Sequence, residues 1–370
     1  MTFSRSNALS PYMEWAKLHS TATFNLATSG MAGFPLAELG VTINQLEING
    51  PSIYGYEPLL QAIATRYRVP TDSVVSAVGT SLANYLALAA TTEPGDEILV
   101  EQPTYELILS TAKYLGLAIK RFPRHAENNF AIDPADVERN LTSRTRLIVV
   151  CNLHNPSSAL VPDATLAEVG KLAAKVGARV LVDEVYRELL FETAPASAFH
   201  IDPDRFIVTN SLTKAYGLSG LRCGWVLASP ELSRRMFRIN DLHGATFAHP
   251  AELLSVIALE KLPQIATQMK SMLDANRLLL HRFLLQRDDL DCFWPEYGTV
   301  IFPRLKNGDA DSLCELLRHD FNTNVVPGRF FEDSKRFRVG VGTSTSSVRE
   351  ALPQLAAGLD RYRETLRKRA

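Results

Sequence analysis

No stretch of this 370-residue chain stays apolar for the roughly 18 residues that a membrane span needs. Nor does the opening MTFSRSNALSPYMEWAKLHS contain the apolar core of a secretion signal. Cysteine is scarce: Cys151, Cys223, Cys292 and Cys314 are widely scattered, with no CxxC pair among them. That spacing offers no metal-ligand set and reads as four reduced thiols in a cytoplasmic protein. Excess charge of either sign is missing too. Against 40 Asp and Glu stand 39 Lys and Arg, a formal net charge of -1. There is hence no electrostatic ground for a nucleic-acid partner. Repeats and low-complexity tracts are also absent.

What remains is an ordinary globular composition, 46% apolar and 21% charged. The length suits two domains, or one large domain with a smaller satellite. Through the middle of the chain, short apolar runs alternate with longer amphipathic ones. Strands are expected at 95–102, 117–123, 146–152, 178–184, 205–210 and 223–229, with helices at 81–92 and 164–177. Apolar strands separated by amphipathic helices imply an α/β fold, with a mostly parallel central sheet covered by helices on both faces. After about Phe247 a long helical pattern, interrupted near Pro263, leads to two short strand candidates at 297–305 and 335–342. These flank the helical DADSLCELLRHDF and form a smaller α+β part. The expected division is an N-terminal arm at 1–40, a large domain at 41–250, and an interdomain helix with a small domain at 251–370.

Open α/β sheets hold ligands in the crevice at the carboxyl ends of their strands, so polar residues directly after a strand are the candidates. Gly79, Thr80 and Ser81 stand just before a helical run, where free backbone N–H groups attract phosphate. Plain N-capping by either hydroxyl is the simpler alternative. Asn155, in HNPSS, suits a ring oxygen or a substrate carboxylate, and equally an ordinary turn. Asp183 closes an apolar strand and Tyr186 follows three residues later. A carboxylate at a dry strand end needs a cation or a strong donor, unless it merely caps the next helix. In NSLTKAYGLSGLRCGW, Ser211 follows a strand, Lys214 comes next, and Arg222 introduces another strand. Arginine's forked donors suit phosphate, with Ser211 as a second donor. A lysine near an arginine and shielded from water holds its proton less tightly and can act as a Schiff-base nucleophile. Together these groups ask for one ligand with a phosphate, a protonatable ring nitrogen, an oxygen near Tyr186 and an aldehyde for Lys214. Pyridoxal 5′-phosphate has that set.

With HNPSS, DEVY and NSLTKAYGLSGLRCGW in this order, the chain resembles the class I/II pyridoxal-phosphate-dependent aminotransferases, aspartate aminotransferase-like and of fold type I, over nearly its full length. The resemblance implies that Lys214 holds the cofactor as a Schiff base and that Asp183 keeps the pyridine nitrogen protonated. It has Tyr186 and Asn155 donate to the phenolic oxygen, and Gly79, Thr80, Ser81, Ser211 and Arg222 hold the phosphate. Tyr105 stacks on the cofactor face, and Arg338, in KRFRVGVG, clamps the substrate's α-carboxylate, with Asn155 and Gly30 also on the substrate side. Tyr54, in PSIYGYEPLL, matches a tyrosine that in these dimers reaches the neighbouring subunit's phosphate, so a homodimer is expected. Ser158 stands where the family's NPTG turn has glycine.

The activity so implied is exchange of the amino group of an L-amino acid with a 2-oxo acid by a ping-pong scheme. Lys214 moves the α-proton, and the ring supported by Asp183 takes up the developing charge. A C–S β-lyase, a decarboxylase or a cyclase of this fold would keep the same residues. A regulator without activity would need a fused DNA-binding segment, and the opening forty or so residues show no helix-turn-helix pattern. No second arginine presents itself for a side-chain carboxylate, which points to an uncharged or aromatic substrate. Arg329, His19, His243, His249 and Trp15 are the remaining residues within conceivable reach of the pocket, each with an ordinary surface or packing role as the alternative.

Overall fold

The structure is a computed structural model that describes residues 8–19 and 21–369. Seven strands form the central sheet: β1 (Val74–Val78), β2 (Glu97–Gln102), β3 (Ala118–Pro123), β4 (Thr145–Cys151), β5 (Arg179–Asp183), β6 (Phe206–Ser211) and β7 (Cys223–Leu227). Their order across the sheet is β1-β7-β6-β5-β4-β2-β3, and β7 alone among them runs against the others. All six strands expected from the sequence are present, with ends shifted by a residue or two. β1 is the strand of this sheet that the apolar pattern does not announce: VVSAV is short and runs into Gly79 without a turn signal.

The strands are apolar throughout because both sheet faces are covered. Val180 and Val182 of β5 enter a core shared with Leu166 and Val169 of helix Asp163–Lys175. Leu181 between them points the other way, toward Leu86 of helix Gly79–Thr91 and Met236 of helix Pro230–Asp241. Beyond the sheet, helices His249–Glu260 and Leu262–Leu285 are separated at Lys261. Pro263 sits in the first turn of the second helix, where its missing N–H costs no helical bond. Strands Val300–Ile301, Phe337–Gly340 and Val326–Pro327 make a small antiparallel sheet. The single strand expected at 297–305 is divided there. Arg304–Leu305 pairs instead with Leu290–Asp291, and Pro303, which has no N–H to donate, lies at the break.

One segment near the N-terminus stitches these parts together. Phe24–Asn25 pairs in parallel with Thr323–Asn324, and the Leu26 carbonyl accepts from the Gly340 N–H at 2.7 Å. A few residues on, Met31 N–H donates to the Lys214 carbonyl at 2.8 Å, and Phe34 N–H to the Gly217 carbonyl at 3.0 Å.

A buried ion pair aligns two strand ends at the edge where ligands bind. The Glu101 carboxylate accepts from Arg124 Nη1 and from the Cys151 N–H, each at 2.7 Å, and so ties the ends of β2 and β4. Neither side chain of the pair is exposed, and burial pushes the Glu101 carboxyl up from its ordinary range. Arg124→Met should therefore leave a carboxylate stranded and cost about 3–5 kcal/mol. Chemical denaturation measures the loss, and a change below about 1 kcal/mol would contradict the role given to the pair.

Candidate active site

The carboxyl ends of β1, β4, β5 and β6 open onto one cavity of about 340 Å³. At its floor β5 ends in Asp183. That carboxylate is buried and accepts from Asn84 Nδ2 at 2.8 Å and from the Val185 N–H at 3.1 Å. Asn84 projects from helix Gly79–Thr91, and its own oxygen accepts from Thr209 at 2.6 Å. Burial pushes the Asp183 carboxyl up to about 6, against the pull of the Asn84 and Val185 bonds.

Lys214 lies three residues beyond the end of β6 and is half-buried. Desolvation pulls its ammonium below the ordinary lysine range; Arg338 and Arg222 act in the same direction, while Tyr12 and Asp183 resist. Its Nζ donates to Ser29 Oγ at 3.1 Å, and the Tyr186 hydroxyl donates to the same oxygen at 2.8 Å. Burial also pushes the Tyr186 phenol up.

The far side of the cavity is built for an anion. Gly79 has φ +74°, and a Cβ there would stand 2.3 Å from Arg222 Nη2, so glycine is what lets the guanidinium approach. Among the described residues, the Arg222 side chain makes two bonds, both 3.4 Å long, to the Val78 and Ser219 carbonyls. Thr80 Oγ1 is buried and has no hydrogen-bond partner among the described residues. Thr80, Ser81, Ser211 and Arg222 all line the cavity. An orphaned hydroxyl at a helix start, beside a loosely held arginine, fits a phosphate group.

Arg338 comes from strand Phe337–Gly340 and is fully buried. Its Nη1 donates to Asn155 Oδ1, and its Nη2 to the Tyr12 hydroxyl and the Ala27 carbonyl, all at 2.9 Å. Ser158 takes φ +60°, the conformation for which glycine is suited, and its hydroxyl donates to the Val300 carbonyl at 2.8 Å. Tyr105 lines the cavity and meets the Tyr12 ring edge-on at 5.7 Å. Gly30 packs beside Lys214, whose Cδ would lie 3.4 Å from a Cβ added there.

Some residues raised by the sequence lie elsewhere. Tyr54 is 57% exposed and donates to Asp241 at 3.0 Å, outside this chain's own cavity. Arg329 pairs with Asp311 and lies over the Phe330 ring. His19 stacks on Trp15, His243 packs on Tyr85, and His249 sits beside Glu252. Trp15 does line the cavity. Among the residues of the site with no counterpart in the sequence expectations are Tyr12, Ser29 and Asn84. Asn84 left a faint signal, being a lone amide in the apolar run SLANYLALAA.

The sheet order, the dry carboxylate and the lysine beside it define a fold-type I pyridoxal-phosphate enzyme. The family model for aminotransferase class I and II matches residues 37–355, and the chain belongs to that family, whose members use pyridoxal 5′-phosphate. It is 31% identical to capreomycidine synthase of Streptomyces vinaceus over 363 residues, covering 94% of this chain and 93% of that one. With arginine–pyruvate transaminase of Pseudomonas aeruginosa it shares 27% over 322 residues, 82% of this chain and 80% of that one. A solved aminotransferase from Streptococcus suis has the same fold, with a TM-score of 0.88 at 24% identity over 95% of this chain and 97% of that one. Among the described residues no helix is long and apolar enough to cross a membrane.

The lowered Lys214 ammonium has a direct check in the cofactor-free protein. Competitive labelling with an amine reagent across a pH series should show Lys214 becoming reactive below the pH at which exposed lysines do. An ordinary lysine midpoint would remove the electrostatic argument for its reactivity.

Proposed function

We propose that the protein is an aminotransferase that exchanges the amino group of an L-amino acid with a 2-oxo acid. The observation carrying this reading is the convergence of Lys214, Asp183 and Asn155 on one cavity, with Arg338 bonded to Asn155 at its edge. When bound, the cofactor supplies an electron-withdrawing ring that stabilises negative charge left at the substrate's Cα. Asp183 would hold the proton on the ring nitrogen, and Lys214 would hold the cofactor at its aldehyde carbon and serve as the base for the proton at the substrate's Cα. Asn155 gives its oxygen to Arg338, which leaves its amide N–H groups for the phenolic oxygen, and the Tyr186 hydroxyl would join them by turning from Ser29 Oγ. Gly79, Thr80, Ser81, Ser211 and Arg222 hold the phosphate, Tyr105 covers the ring face, and Arg338 takes the α-carboxylate.

Among the residues lining the cavity, the cations are Lys214 and Arg222, both already committed. The rest of the substrate wall is Tyr12, Met13, Trp15 and Ala16, with Asn25 and Asn324. This lining supports an uncharged or aromatic side chain rather than a second carboxylate. A homodimer completes the reading: Tyr54, Ile53 and Leu242 are all exposed, and Tyr54 would serve the neighbouring subunit's phosphate.

A second reading has one observation in its favour: the relative at 31% identity is named a synthase. A cyclase, a decarboxylase or a C–S β-lyase would use the same lysine, carboxylate and arginine. A screen of amino donors against several 2-oxo acids, following the pyridoxal and pyridoxamine forms by absorbance, separates the two. Stoichiometric conversion of an oxo acid into its amino acid is the expected result. An amino acid consumed without amino transfer would establish the second reading instead. In either case Lys214→Ala should slow turnover by at least about 10²–10⁴-fold, the usual contribution of a positioned base.

A further inference from the structure

Helix Pro11–Leu18 starts at Ser10, whose hydroxyl oxygen accepts from the Met13 N–H at 3.2 Å and whose proton goes to Glu106. The helix turns Tyr12 and Trp15 inward, and both are buried. The Tyr12 ring is held edge-on by Tyr105 and by Phe330, each with centroids 5.7 Å away. Its position is therefore set by packing, and its hydroxyl arrives 2.9 Å from Arg338 Nη2.

In that bond the phenol oxygen is the acceptor, because a guanidinium can only donate. Tyr12 thus keeps its own proton for another acceptor, and no described residue takes it. Arg338 has a spare donor as well, since its buried Nε has no partner among the described residues. Buried donors without acceptors are rare in folded proteins and call for an explanation at the site itself. Burial pushes the Tyr12 phenol up, but the positive fields of Arg338 and Lys214 outweigh it and draw the group below its ordinary value, which makes the hydroxyl a stronger donor. What these groups lack is an anionic oxygen.

We propose that Tyr12 belongs to the α-carboxylate subsite: its O–H donates to a carboxylate oxygen held by Arg338, so that the N-terminal helix selects α-amino acids over simple amines. The inference rests on the reading that Arg338 takes that carboxylate. Trp15, one turn further on, faces the cavity without a polar group in this network and leaves the side chain an apolar wall.

The test uses the cofactor-loaded enzyme and two probes of similar size. 3-Phenylpropionate carries the carboxylate and no amine, and phenethylamine carries the amine and no carboxylate; both are titrated against the cofactor's absorbance. Tyr12→Phe keeps the ring and its packing. It should weaken 3-phenylpropionate by about 10–100-fold, the range for a hydrogen bond to a charged group. Phenethylamine should bind as before. Unchanged or tighter carboxylate binding would overturn the proposal, because Tyr12 would then be a bystander or a blocker of Arg338. Parallel loss of both probes would overturn it too, since that marks a disturbed wall. Arg338→Lys, run alongside, should lose the carboxylate probe as well. If it does and Tyr12→Phe does not, the fault lies with this proposal alone. If Arg338→Lys binds the probe normally, the reading of Arg338 falls and takes the proposal with it.

Discussion

Desolvation acts on Asp183 and Lys214 in opposite chemical senses and pushes each toward its neutral form. The carboxyl rises to about 6, and the ammonium falls from the usual lysine range. In water neither group would be of use at neutral pH: the acid would be fully ionised with nothing to hold, and the amine fully protonated. Inside the cavity each awaits a complementary group. On the proposed reading, a protonated ring nitrogen would restore the Asp183 charge, and an aldehyde would take up the lysine's lone pair. The polar neighbours pull the other way: bonds from Asn84 and Val185 hold the carboxylate in place and offset part of its desolvation. Asp183 stands opposite Thr209 in the β5–β6 register, and Asn84 bridges the two with both ends of its amide used.

The sheet supplies the anion end by a different device, a reversal of one strand. β7 runs against its neighbours and lies beside β1, which carries Arg222, at the start of β7, to Gly79, at the end of β1. Their backbones exchange a 2.7 Å hydrogen bond, from the Gly79 N–H to the Arg222 carbonyl. Gly224 then passes so close that a Cβ on it would lie 2.5 Å from the Gly79 carbonyl carbon. Two glycines are spent on this crossing, and the result is a helix start, a free hydroxyl and an arginine around one point.

The parts of this design that were legible in the sequence share a physical cause. Fully buried strands need continuous apolar runs, so six of the seven strands of the sheet were visible, and residues just beyond them were automatically candidates. Asp183, Ser211, Asn155 and Lys214 all followed that rule. The strand at 335–342 was visible too. The role of Arg338 within it was legible only through the family resemblance, because the residue lies inside a strand of the smaller part and not just beyond one of the large sheet. Tyr12 and Ser29 were not legible at all. Their partners, Arg338, Tyr186 and Lys214, lie between 157 and 326 positions away, and no local periodicity encodes such contacts. Tyr54 was named from the same resemblance, yet among the described residues of a single chain its hydroxyl bonds to Asp241.

The glycines of RVGVG take their meaning from the segment that the sequence left blank. A Cβ at Gly340 would fall 1.8 Å from the Thr28 carbonyl oxygen, and one at Gly342 would fall 2.1 Å from that of Gly30. Neither glycine is needed for a turn; both are needed because residues 26–32 run directly against this strand, with bonds from Gly340 to Leu26 and from Ala32 to Gly342. The same segment bonds through Met31 to the carbonyl of Lys214 and offers Ser29 to its side chain. One length of chain thus touches the strand that carries Arg338 on one side and the lysine on the other. The span between the arginine and the lysine is therefore set by backbone contacts rather than by flexible side chains. On the proposed reading that is the span an α-amino acid would bridge, with its carboxylate at one end and its amine at the other, and a rigid ruler of this kind would let a small site demand both groups at once.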